Sequence, residues 1–130
     1  MSKQSNLDAL IEKFRAEIPE FVSTDIVEIE SGLSLAGGSI FPDSFDSSVA
    51  SALYAEVIKA NEKAMGALGG EPNVGEVEDI LITTSKVYIL LLVYPEKKYY
   101  HGLAITRKGN LAYARIVMKK FQTLFIKALP

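Results

Sequence analysis

One histidine, no cysteine and sixteen acidic residues bound the chemistry open to these 130 residues. A metal centre needs several His, Cys or carboxylate ligands converging, and His101 has neither a second histidine nor a thiolate to join it. On an apolar stretch it reads as a hydrogen-bonded core residue, not as a ligand or a general base. Ser31, Ser34, Ser39, Ser44, Ser47, Ser48 and Ser51 are plentiful, but none sits in G-x-S-x-G or a similar nucleophile turn, so they read as turn and cap residues. Glu71, Glu76, Glu78 and Asp79 crowd one loop without the repeated Asp/Asn spacing of a calcium site; a solvated acidic rim is expected there. Neither GxxxxGK[ST] nor GxGxxG occurs, and the glycine pairs in Leu35–Ser39 and Leu68–Gly70 are turn chemistry. No cofactor, no metal and no catalytic residues are expected.

What the chain offers instead is apolar surface. At 48% hydrophobic residues it can bury a core without disulfides or metal, as a single domain over 1–130 with an ordered core of about 6–129. Fourteen Lys and Arg against 16 Asp and Glu give a formal charge of −2, which exerts no general pull toward nucleic acid or anionic membrane. Lys97, Lys98, Tyr99 and Tyr100, with Arg107 and Lys108, mix charge and aromatics, yet no R-G-F-G-F type of signature accompanies them. The longest apolar run, Tyr88–Tyr94, falls far below the ~20 residues of a membrane helix, and Met1–Asn6 is polar with no apolar leader behind it. No nucleic-acid partner, no membrane partner and a cytoplasmic location are expected.

Several elements must position any functional surface. Leu7, Leu10, Ile11, Phe14 and Ile18 repeat at helical spacing behind Ser5 or Asn6 as cap, and Pro19 stops that helix. Val27 and Ile29 alternate with Glu28 and Glu30, and a turn at Glu30-Ser31-Gly32 leads into a second strand, Leu33–Gly38. A long helix capped by Asp43, Ser44 or Asp46 ends at Gly69-Gly70, after which Pro72 and Gly75 keep the chain irregular. Three strands follow, Val77–Thr84, Val87–Tyr94 and Tyr99–Thr106. The unbroken apolar run of the middle one requires cover on both faces. On the last strand Gly102 and Ala104 share a face where a helix can approach closely, while Tyr99, His101, Leu103 and Ile105 take the other. Asn110 caps a final amphipathic helix from Leu111 to about Leu129. The order is α-β-β-α-β-β-β-α, an α+β domain.

The long helix carries more apolar surface than one sheet face uses. Steps of about 100° align Val49, Leu53, Val57, Ala60, Ala64 and Leu68 as the expected core-facing stripe. Ala50, Tyr54, Ile58 and Met65, with Ser47 and Ser51 at the margin, form a second stripe beside it. That excess fits a protein partner or a helix wedged between the sheet and another helix of the same chain.

Glu30-Ser-Gly-Leu-Ser-Leu-Ala36, Phe45-Asp-x-x-Val-Ala-Ser-Ala-Leu-Tyr-Ala-Glu-Val57, Glu78-Asp-Ile-Leu-Ile-Thr-Thr84 and Arg107-Lys-Gly-Asn-Leu-Ala-Tyr-Ala-Arg115 together resemble a roadblock domain. This is the dynein light chain and bacterial gliding-regulator group of small-GTPase-associated proteins. The likeness covers nearly everything after Phe21, with Glu30 standing where an aspartate is common. Its patterns concern packing and not catalysis. The resemblance implies a profilin-like, five-stranded antiparallel sheet, with the long helix on one face, the terminal helices on the other and the third strand at an edge. It implies a homodimer that pairs these edges, with Ser47, Ser51, Tyr54 and Ile58 facing the partner helix and Ile80, Ile82 and Thr84 at the strand seam. An isologous pair covers an apolar edge and closes the assembly. It also implies a noncatalytic platform that binds and regulates a Ras-like small GTPase or scaffolds a complex, any hydrolysis being the partner's chemistry. Arg107 and Arg115 are then ordinary turn and helix-surface residues, not arginine fingers. The same element order suits GAF-like small-molecule sensors, whose pockets usually need longer loops than these.

Overall fold

The computed structural model describes residues 2–41 and 47–130. The cap candidates Asp43, Ser44 and Asp46, and Phe45 of the helix motif, lie outside them. The sheet is built around β5 (Tyr99–Thr106), buried from Tyr100 to Ile105. β1 (Phe21–Glu28) and β4 (Val87–Val93) flank it, β2 (Ser34–Ser39) lies beyond β1, and β3 (Asp79–Thr83) lies beyond β4. All pairings are antiparallel, in the order β2-β1-β5-β4-β3. The continuous apolar run of β4 does face cover on both sides. Leu90 and Leu92 enter one core, Leu91 and Val93 the other.

α1 (Lys3–Ala16) and α4 (Leu111–Ala128) share one face and α2 (Ser47–Ala67) takes the other. The two faces are unequally filled. Among the described residues, Leu7, Ile11 and Phe14 of α1 and Ala114, Val117, Met118, Phe121 and Phe125 of α4 join a cluster of eighteen buried residues, whereas the α2 side has seven. α2 therefore brings a sparser contact to the sheet than its length suggests.

Two local features differ from expectation. α1 begins at Lys3, earlier than a Ser5 or Asn6 cap allows, because the Ser2 hydroxyl accepts the Ser5 N–H at 3.1 Å. A four-residue helix, α3 (Glu71–Val74), occupies the loop expected to be irregular. Pro72 sits in its first turn, where a missing N–H costs nothing. Gly70, at φ 71°, donates its N–H to the Met65 carbonyl at 2.9 Å and closes α2 as anticipated.

His101 is a core residue. It is fully buried among Phe14, Phe125 and Tyr94, with its ring 4.5 Å from that of Phe14. The Thr24 hydroxyl donates to the Gly102 carbonyl at 2.7 Å, so its contact with His101 Nε2 at 2.8 Å requires the imidazole to donate. Nδ1 is then the unprotonated nitrogen, and it has no partner among the described residues. Burial pushes the imidazole down to about 3, because nothing nearby compensates a positive charge. A group depressed from 6.5 contributes stability that is complete above pH 6.5 and is lost as pH falls toward 3. Urea unfolding of the wild type and His101→Phe from pH 7 to pH 3.5 is expected to show the wild type losing stability relative to the variant, by on the order of 4 kcal/mol across the full window. Parallel profiles would contradict a neutral buried imidazole.

Candidate functional site

On the α2 side of the sheet, strand register aligns Gly37, Asp25, Gly102, Leu91 and Ile80 in one row across all five strands. An acid in such a row is unusual, and the flanking glycines make room for it. A Cβ on Gly102 would stand 2.5 Å from Asp25 Oδ1, and one on Gly37 3.2 Å from Asp25 Cβ. From above, the Ser51 hydroxyl donates to Asp25 Oδ2, and Tyr100 donates its buried hydroxyl to the Ser51 carbonyl at 2.9 Å. Burial pushes the Asp25 carboxyl up to about 6, offset in part by the Ser51 hydrogen bond. Ionised, the carboxylate accepts from Ser51. Protonated, it can donate instead, leaving the Ser51 proton for the Ser47 carbonyl 3.1 Å away. Burial also raises the Tyr100 phenol well above its ordinary range, so it stays a donor.

These contacts fix the rotation of α2, and the rotation reverses the expected stripes. Ser51 and Ile58, 3% and 1% exposed, lie beneath the helix with Ala55 and cannot face a partner. Tyr54 is half-buried against the same cluster, and Ser47 is exposed. The stripe expected inside is outside: Val49, Leu53 and Leu68 are 53%, 60% and 57% exposed, and Val57, Ala60 and Ala64 lie exposed between them. Periodicity could not choose between two adjacent apolar stripes. The choice was made by Asp25 and Tyr100 in the sheet below, which need the hydroxyl and carbonyl of Ser51.

α2 makes its main sheet contacts with β1 and β2, so Ile80, Ile82 and Ile89 on the far half of that face stay half-buried. Among the described residues β3 pairs only with β4, and its other edge is open. Ile80 and Ile82 lie along this edge strand, while Leu81, on the opposite face, is 39% exposed. Thr84 lies past the strand in the turn to β4, where its hydroxyl accepts from the N–H groups of Lys86 and Val87. Arg107 donates to the Thr84 carbonyl at 2.7 Å and stacks over Tyr88, and Arg115 pairs with Asp79 at 3.4 Å. Both arginines are engaged in the fold. Glu76 reaches Lys97 at 3.8 Å, and among the described residues no group of acids or histidines could hold a metal ion. No described helix is long and apolar enough to cross a membrane.

No protein-family profile and no curated protein sequence matches this chain. Solved structures do. Myxococcus xanthus MglB superposes with a TM-score of 0.80 at 11% identity, over 98% of this chain and 92% of that one. A Roadblock/LC7 domain from Streptomyces avermitilis gives 0.71 at 15% identity, over 92% and 97%. Profilin from Schizosaccharomyces pombe gives 0.63 at 12% identity, over 93% and 97%. The fold is of the roadblock type, as the sequence motifs implied, and it is also similar to the profilin fold.

Asp25 was absent from the residues singled out by sequence. It shares a strand phase with Val27 and Ile29 and lies across from Gly102, and that combination was the available signal. A carboxyl raised from 3.8 contributes stability present below pH 3.8 and lost as pH climbs through 6. Between those limits the wild type is expected to lose up to about 3 kcal/mol relative to Asp25→Asn in chemical unfolding. An Asp25→Asn difference that does not change with pH would contradict a desolvated carboxyl at this position.

Proposed function

We propose that this roadblock-type domain is a noncatalytic platform that pairs with a second copy of itself and regulates a Ras-like small GTPase. The observation that carries the pairing is the outward stripe of Val49, Leu53, Val57 and Leu68 on the same side of the sheet as the open β3 strand and the half-covered Ile80 and Ile82. Contiguous apolar side chains of this size, beside unpaired backbone groups, stabilise an interface between copies and are a hazard when left alone. A two-fold axis beside β3 would extend the sheet across two chains and set the α2 stripes side by side. The interface so described keeps Ile80 and Ile82 at the seam. It replaces Ser51 and Ile58 with Val49, Leu53 and Val57 on the helix. The GTPase part of the reading rests on the roadblock resemblance of the sequence motifs, and the likeness in fold to MglB supports it. Catalysis on a bound nucleotide would belong to the partner, since Arg107 and Arg115 are held in contacts within the domain.

Sedimentation equilibrium at micromolar concentration is expected to give twice the 14.2 kDa chain mass. Leu53→Asp and Ile82→Asp should each weaken pairing by at least thirtyfold, about 2 kcal/mol, while Leu124→Asp on exposed α4 leaves it unchanged. Capture from host lysate with GTP-loaded or GDP-loaded material should recover a small GTPase in one state preferentially. A monomeric wild type, or equal behaviour of all three variants, sinks the pairing. Recovery of no GTPase in either state sinks the regulatory reading.

A further inference from the structure

Between the first half of α2 and the sheet lies a cavity of about 440 Å³, large enough for a small metabolite. Its lining is divided. Ile89, Leu91 and Ala104 give an apolar wall, and Asp25, Ser51 and Tyr54 give a polar one. Asp25 Oδ2 is taken by Ser51, but no described residue donates to Oδ1, which rests against the bare Cα of Gly102. No Lys, Arg or His is among the described lining residues. The carboxyl thus sits under the helix with one oxygen satisfied and no counter-charge among the described residues. A half-buried carboxylate in that state gains most from a ligand that brings both a positive charge and an N–H donor.

We propose that this cavity binds a small organic amine, its ammonium on Asp25 Oδ1 and its apolar body against Ile89, Leu91 and Ala104. A carboxylic acid or phosphate would meet a like charge at the floor, and a hydrocarbon would leave Oδ1 dry and unpaired.

The test uses ¹⁵N-labelled full-length protein titrated with phenethylamine and with isopentylamine to about 10 mM, and with phenylacetate as the charge-reversed control. Saturable shifts centred on the amides of Gly37, Gly38 and Gly102 are expected with the amines and not with phenylacetate. Asp25→Asn should weaken amine binding by at least tenfold. Ala50→Trp, which places bulk on a lining residue of α2 and leaves Asp25 and Ser51 intact, should do the same and decides the matter if Asp25→Asn does not fold. The inference is overturned if neither amine shifts these amides, if phenylacetate shifts them equally, or if the folded variants bind as the wild type does.

Discussion

The rotation of one helix decides what this domain presents to its surroundings, and that rotation depends on a buried serine. Ser51 is gripped through its hydroxyl by Asp25 and through its carbonyl by Tyr100, two residues on adjacent strands. Neither contact tolerates much turning of α2, since a shift of one residue swings a side chain by about 100°. With Ser51, Ala55 and Ile58 held down, Val49, Leu53 and Val57 must point out. A surface that hydrophobic statistics would place in the core is thereby committed to solvent or to a partner. The cost is a carboxyl taken from water, and its affinity for a proton rises accordingly.

The two sides of the sheet divide the work. The side covered by α1 and α4 supplies most of the apolar packing, organised around Phe14, His101, Phe121 and Phe125, whose rings meet edge to face. That core tolerates a histidine because the ring is neutral and one nitrogen donates to Thr24. The α2 side is thinner, with an acid, glycines and a cavity where the other side has aromatic rings. Stability resides chiefly on one face, which leaves the other free to carry interaction surfaces. The proposed pairing and the proposed amine site both draw on that freedom, one from the outer surface of α2 and one from beneath it.

Much of the architecture was legible in the chain. Alternation in β1, the unbroken run of β4, the small residues Gly102 and Ala104 and the Gly69-Gly70 stop each corresponded to an element or a face, because each reflects a local constraint of backbone or pleat. The rotation of α2 was not legible. Both of its stripes are apolar, so the 3.6-residue period is satisfied by either, and the deciding partners lie 26 and 49 residues away in sequence. Asp25 escaped notice for a related reason: a single acid in a strand carries no spacing pattern, and its meaning comes from the glycines that register places on either side. Thr84 was read as strand, whereas its hydroxyl closes the turn to β4, a local competition that β-branched residues disguise.

The proposed pairing requires a second copy to cover the open edge of β3. Amide hydrogen exchange across Asp79–Thr83, followed as protein concentration rises from nanomolar to micromolar, measures that edge directly. Pairing is expected to give protection in β3 that grows with concentration together with protection in α2, while β5 is unaffected. Exchange in β3 at one rate over the whole range, in a protein that stays folded, would contradict it.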